Sequence, residues 1–301
     1  MRSFIPVILF FSLSCLLTMS FVTNAGEEGG LIPADLIPSG LIQGDEYQVS
    51  VKDLGDSTIE TELTGQPPVK QEKKEERFEE YQEIIKEITP KGIITQLTRT
   101  YGKAYEQKTG KQRDYSYAGK ALLFVRKDDG WEIQKLVTEK DWDLSPEDGK
   151  HLLAEIKRRV QPDPWQDFKS KHFPQVPVEI GESWKVPVWE FMQVLGLAEG
   201  ITVDRDLSSV NMCIKEVEQG KVVIGINAKV QGKAKIAGQQ VPISMTLTGH
   251  EKFSFDKGYS WEWSMHSESV IVDQRKVAGL ERSLTVTEKT DQLKRVRASG
   301  K

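Results

Sequence analysis

Two stretches of this chain spell the same strand. Gly44-Asp45-Glu46-Tyr47-Gln48-Val49-Ser50-Val51 and Gly181-Glu182-Ser183-Trp184-Lys185-Val186-Pro187-Val188 each place a glycine and an acid before an aromatic residue and two valines at alternating positions. Each reads as a turn feeding a strand with one apolar face. The recurrence continues downstream. Ile85-Lys86-Glu87-Ile88 returns as Ile214-Lys215-Glu216-Val217, and both copies run into a glycine-containing turn, Pro90-Lys91-Gly92 and Gln219-Gly220-Lys221. An apolar strand follows each turn, Ile93 to Leu97 and Val222 to Ile226, which makes a long β-hairpin twice over. Gly102-Lys103-Ala104 then matches Gly232-Lys233-Ala234, Gly119 matches Gly249, Leu123 and Val125 match Phe253 and Phe255, and Trp131-Glu132 matches Trp261-Glu262. The offset is 129 residues at the Ile-Lys-Glu motif and 130 at the tryptophan, so the order and register of a duplicated unit are kept.

This pattern overrules a local signal. Phe78, Tyr81, Ile85 and Ile88 stand at helical spacing in a Glu/Lys-rich stretch, which alone suits a helix. The second copy sits among unmistakable strands, so the first is read as strand. The best helix lies between the units. Ser145 can cap it, Pro146 suits its first turn, Asp148 completes a capping box, and Leu152, Leu153, Ile156 and Val160 form one apolar stripe. Pro162 and Pro164 end it, and a connector to Phe173 leads into the second unit.

At the chain start, Met1-Arg2, an apolar run from Phe4 to Val22, and Ala25 before Gly26-Glu27-Glu28 form a secretory signal peptide cut after Ala25; an uncut membrane anchor is the alternative. Three Leu-Ile pairs (Leu31-Ile32, Leu36-Ile37, Leu41-Ile42), two of them followed by proline, then describe an extended arm, laid on the body or serving as a tether. The expected organisation is a signal peptide over 1–25, the arm over 26–43, a first β unit over 44–143, a linker helix and connector over 144–173, a second β unit over 174–290, and a polar tail over 291–301. The fold class is mainly β: two related, curved antiparallel sheets joined by one helix.

Chemistry is sparse. The formal charge is −4 and spread along the chain, which argues against a nucleic-acid partner. Without the leader, Cys213 is the sole cysteine, read as a buried structural thiol in a strand. Asp141, Asp143, Ser145 and Glu147 alternate like a calcium loop, but Pro146 stands where the glycine belongs and Leu152 where the bidentate glutamate belongs, so no metal is assigned. His151, His172, His250 and His266 lack metal spacing, and no nucleophile, phosphate-loop or dinucleotide motif is present. No cofactor is expected. Seven tryptophans remain, and Trp184, Trp189, Trp261 and Trp263 are the candidates to face a ligand or partner, with core filling as the competing role.

Pro177-Val178-Glu179-Ile180-Gly181-Glu182-Ser183-Trp184, with the Ile-Lys-Glu, Gly-Lys-Ala and Trp-Glu pairs, resembles exported bacterial β-proteins built from duplicated Gly-Asp/Glu-x-Trp/Tyr units over residues 41–290. At the level of topology the long curved strands also look like the open-barrel lipoprotein carriers of bacterial envelopes, which hold acyl chains in an apolar hollow. No residue here carries over that activity; the leader, the paired β units, the aromatic content and the missing catalytic motifs lead to the expectation of a non-enzymatic exported protein, periplasmic or extracellular. Its partner would be a hydrophobic small molecule or an envelope protein, with membrane contact only through an uncleaved signal peptide. A structural module without ligand is the alternative. A secreted hydrolase using Glu182, Glu190, His250 and His266 is a further one, and it requires those groups to converge in a cleft.

Overall fold

A computed structural model describes residues 43–89, 93–128, 130–136, 142–160, 164–218, 221–236, 239–254, 260–277 and 280–298. The signal peptide and nearly all of the arm, as well as the two hairpin turns at 90–92 and 219–220, lie outside the described residues. The first half of the chain supplies β1 (Glu46–Leu63), β2 (Val69–Ile88), β3 (Ile94–Lys108), β4 (Lys111–Asp114), β5 (Ala121–Lys127) and β6 (Gly130–Lys135). Three helices and a short strand follow: α1 (Pro146–Val160), α2 (Pro164–His172), β7 (Ser183–Val186) and α3 (Val188–Val194). The second half adds β8 (Ile201–Val203), β9 (Ser209–Glu218), β10 (Lys221–Ile236), β11 (Gln239–Ser254), β12 (Ser260–Val277) and β13 (Leu280–Ala298).

The mainly β, antiparallel class holds, but the two expected sheets are one. All thirteen strands join a single open sheet in the order β6-β5-β3-β2-β1-β13-β12-β11-β10-β9-β7, with β4 on β3 and β8 on β10. The seam is β1 against β13, paired without interruption from Tyr47↔Ala298 to Leu63↔Arg282. The stretch expected as a polar tail therefore runs to Ala298 in the middle of the sheet. Its alternation explains this: Gln292, Lys294 and Val296 point inward and are buried, while Asp291, Arg295 and Arg297 stay exposed.

The β reading of β2 is correct, and the Ile-Lys-Glu motif has a definite shape. Ile85 pairs with Leu97 and Glu87 with Gln96, which leaves Lys86 as the extra residue of a β-bulge. Ile214 pairs with Ile224 and Glu216 with Val223, which leaves Lys215 in the same role. Gly44 donates its N–H to the Ile85 carbonyl at 2.9 Å, and Gly181 donates to the Ile214 carbonyl at 2.7 Å. Both glycines have φ of +89°, a turn conformation that a side chain would strain. Beyond the hairpins the matched registers drift. The first hairpin has a second bulge at Thr95 and a turn longer by one residue, so Leu97 corresponds to Ile224 and Phe124 to Glu251. Gly102 thus lies opposite a different place from Gly232, and the Leu123 and Val125 matches fall three residues out of register, whereas Glu132 and Glu262 return to equivalent pairing positions.

Two helices were not anticipated. The connector after Pro162 is α2, opened by Pro164, and Val188 continues not as strand but as the start of α3 behind Pro187. α1 is capped as expected, with the Asp148 N–H donating to Ser145 Oγ at 3.2 Å. All three helices lie on one face of the sheet. α1 covers the cluster of Tyr47, Val49, Tyr81, Ile85, Leu97 and Phe124, together with Leu152 and Ile156. α2 and α3 cover a second cluster that includes Trp165, Phe191, Met212, Ile224, Leu247 and Trp263.

Gly232 marks where β10 exchanges β9 for β8 as its neighbour, facing Val203 on one side and Ile243 on the other. A Cβ there would meet the Thr202 carbonyl oxygen at 2.2 Å, so the backbone of β8 must move. Gly232→Ala is expected to lower the unfolding free energy by about 2 kcal/mol, read as a lower denaturant midpoint at unchanged slope.

Candidate functional site

Because the registers are continuous, inward residues form rows across neighbouring strands. One row runs Ala104, Glu79, Val51, Lys294, Trp263, Glu251, Ile224, Ile214 over eight strands. Every member is buried, three of them charged. Charge inside a β core is costly unless paired, so these residues locate the polar chemistry of the molecule.

The larger cluster lies under α1. The Arg77 guanidinium donates from Nη2 to Glu79 Oε1 at 2.7 Å and to Glu155 Oε2 at 3.3 Å. Arg99 donates from Nε to Glu83 Oε2 and from Nη1 to Glu155 Oε1, each at 2.9 Å. Tyr117 donates its hydroxyl to Glu79 Oε1 at 2.7 Å, and His151 Nε2 lies 3.3 Å from the same oxygen. The Tyr115 ring stacks on both His151 and Tyr117. His151 and Glu155 are one helical turn apart, which puts both on the face of α1 that meets the sheet. The start of α1 is clipped down too, since Asp148 accepts from Arg113 Nη1 at 3.0 Å and from the Ser116 N–H at 2.8 Å.

Electrostatics follow from burial against pairing. Burial pushes the Glu79 carboxyl up, but Arg77, His151 and Tyr117 outweigh it and hold the group well below the usual carboxylate range. Asp53 faces Arg77 across β1 and β2 at 3.9 Å; burial dominates there and raises its carboxyl to about 6, with Glu79 and Glu155 adding to the rise. Burial also lifts the Tyr117 hydroxyl well above its ordinary value. In the second half, Lys169 on α2 donates to Glu251 Oε1 at 3.1 Å, and Trp165 Nε1 donates to Glu251 Oε2 at 3.0 Å.

The helices do not cover the whole inward face. Below them a second row reads Ile243, Ile271, Val286, Ile59 across β11, β12, β13 and β1. Burial falls along it: Ile243 is enclosed, Ile271 and Val286 are half-buried, and Ile59 is 38% exposed. Ser57, Glu288 and Ser269 border it above, and Thr61, Leu284 and Asp273 below.

The candidate tryptophans occupy different settings. Trp263 is buried edge-on to Trp165 at 5.7 Å, and Trp184 packs edge-on to Phe173 at 5.2 Å. Trp189 is exposed on α3 and does not line the cleft of about 250 Å³ that Asp167, Phe168, Lys171, Glu190, Gln193 and Val194 form between α2 and α3. Trp261 lies in β12, but its side chain is outside the described residues. The groups required for a hydrolase do not converge. Glu190 pairs with His172 at 2.6 Å, His250 with Glu262 at 2.9 Å, His266 with Asp291 at 2.7 Å, and Glu182 accepts from the Glu179 N–H. Cys213 is half-buried on the outward side of β9, a less enclosed place than expected.

Two outcomes follow. Arg99→Leu removes the buried guanidinium shared by Glu83 and Glu155, leaving Glu155 to Arg77, and is expected to cost about 3–5 kcal/mol in chemical unfolding. On the outward face Glu262 accepts from His250, Lys252 and Arg295, which together overcome burial and depress its carboxyl from 4.5 to about 2. A depressed carboxylate stabilises the fold above its unfolded pKa and loses that contribution as pH falls through the folded one. Glu262→Gln should therefore flatten the stability profile between about pH 4.5 and 2, measured by urea unfolding at stepped pH.

Among the described residues no helix is long and apolar enough to cross a membrane. No family model and no curated protein matches the chain. Solved structures show distant likenesses. A structure of lipid–protein interactions in lipovitellin is similar at a TM-score of 0.36 and 9% identity over 86% of this chain, which spans only 26% of the lipovitellin chain. OmpF of Salmonella typhi in complex with daunomycin is similar at a TM-score of 0.22 and 9% identity, covering 82% of this chain and 98% of that one. The Pseudomonas putida toluene transporter TodX follows at a TM-score of 0.17 and 5% identity, covering 85% and 90%.

Proposed function

We propose that this chain is an exported, non-catalytic β protein that binds an apolar ligand along the uncovered end of its inward sheet face. The observation that carries the reading is the row Ile243, Ile271, Val286, Ile59, which leaves the helix-covered core and rises into solvent. It spans three inter-strand spacings, about 14 Å, on a rigid floor of four long strands. Apolar surface left in water forgoes roughly 25 cal/mol per Å², and a row bordered by Ser57, Thr61 and Glu288 is shaped to give that surface to a narrow apolar guest. Export is supported by the leader pattern at Met1-Arg2, Phe4 to Val22 and Ala25. The matched bulges at Lys86 and Lys215, and the matched Gly44 and Gly181 turns, support an origin of the two halves by duplication.

The test is a titration with cis-parinaric acid, a fluorescent fatty acid. The wild-type protein is expected to bind it saturably and release it to palmitate. Ile59→Lys is expected to weaken binding at least tenfold with an unchanged circular dichroism spectrum and melting temperature. Absence of saturable binding to the wild type, or binding indifferent to Ile59→Lys and Val286→Lys, overturns the reading.

A further inference from the structure

We propose that Glu79, His151 and Glu155 form a binding site for one divalent metal ion at the junction of α1 with the sheet. One ligand atom from each of the three lies within 4.8 Å of the others, so small rotations bring all three onto a common centre at the 2.0–2.2 Å of carboxylate and imidazole ligation. The three come from two rigid elements. β2 supplies Glu79, and α1 supplies His151 and Glu155 one turn apart on one face, so the geometry depends on packing rather than on a loop.

The hydrogen bonding independently points to a cation. Glu79 Oε1 takes donors from Arg77 and Tyr117 and faces His151, while Glu79 Oε2 is fully buried with no hydrogen-bond partner. Asp53, facing the same group from β1, has Oδ1 in the same condition. Around this point Asp53, Glu79, Glu83 and Glu155 confront Arg77 and Arg99, four carboxylates to two guanidiniums. Among the described residues, further charged neighbours are Lys294, one strand away across Val51, and the Arg113–Asp148 pair at the start of α1. An ion on the Oε2 side of Glu79 leaves the Arg77 bond to Oε1 in place and partners an oxygen that otherwise lies buried and unsatisfied, while Glu155, whose oxygens accept from Arg99 at 2.9 Å and Arg77 at 3.3 Å, gives up the longer Arg77 contact to the ion. The His151 side chain is 30% exposed and provides the way in. Two carboxylates and one imidazole suit zinc or manganese better than calcium or magnesium, which favour all-oxygen sites.

The experiment uses the full chain, stripped with EDTA and dialysed, titrated calorimetrically with zinc chloride and with manganese chloride. The expected result is one saturable site for at least one of them and a melting temperature raised by several degrees at saturating metal. His151→Ala, at a half-exposed position, should keep the fold and lose affinity at least tenfold. Glu79→Gln should do the same where it folds. No binding by the wild type overturns the proposal. So does binding that survives His151→Ala but is lost in His172→Ala, His250→Ala or His266→Ala, because the ion then sits at one of the surface pairs.

Discussion

Everything in this structure rests on β1 lying against β13. Those strands stand near opposite ends of the described chain, and their pairing turns two hairpin-rich halves into one surface. Without it the eight-strand row from Ala104 to Ile214 would break between Val51 and Lys294. The seam is also a folding constraint, since pairing residues some 250 positions apart carries a loop-closure cost that local hairpins do not. Each half has dense local pairing of its own.

The helices are tied to the sheet by buried charge of opposite polarity. α1 brings a carboxylate, Glu155, down onto the arginines of β2 and β3. α2 brings an ammonium, Lys169, down onto the glutamate of β11. Neither pair is a cheap source of stability, because desolvation consumes much of the attraction. What each supplies is selectivity of place. Docked on the other half, Glu155 would approach Glu251, and Lys169 would approach Arg77 and Arg99. Apolar stripes such as Leu152 and Ile156 fit many sheets, and the charges restrict them to one.

Much of this was legible in the residues, and the gaps have physical causes. The Gly44 and Gly181 turns and the Ile-Lys-Glu bulges were readable because a bulge and a left-handed glycine constrain sequence tightly. The same logic correctly displaced a helical reading of β2. It failed across β3 and β5, where an extra bulge at Thr95 and a turn longer by one residue shift the register without leaving a residue signature, and it held again at Glu132 and Glu262. α2 and α3 were missed because nine- and seven-residue helices show too few turns for periodicity, and Pro164 and Pro187 read more readily as breakers than as openers. β13 was cut short because its inward residues include Gln292 and Lys294. The buried ion cluster was hidden for a similar reason. Arg77, Glu79 and Glu83 sit in a run dense with glutamate, where solvated surface is the default. A usable signal existed in the alternation Arg77, Glu79, Tyr81, Glu83, Ile85, which places every second charge on the face of a core tyrosine and isoleucine. His151 and Glu155 were readable only as a helix face; that they meet Glu79 depends on packing.

Strand lengths taper along the sheet. From one margin to the other they run six, seven, fifteen, twenty, eighteen, nineteen, eighteen, sixteen, sixteen, ten and four residues. The halves follow one another head to tail, so the two margins, β6 and β7, are unlike each other. Margins that differ can stack copy upon copy without ever closing a ring, which is the geometry of a fibre. A ladder of four or six residues offers little purchase for such growth. The taper thus leaves each margin of a broad sheet with little exposed ladder for edge-to-edge growth.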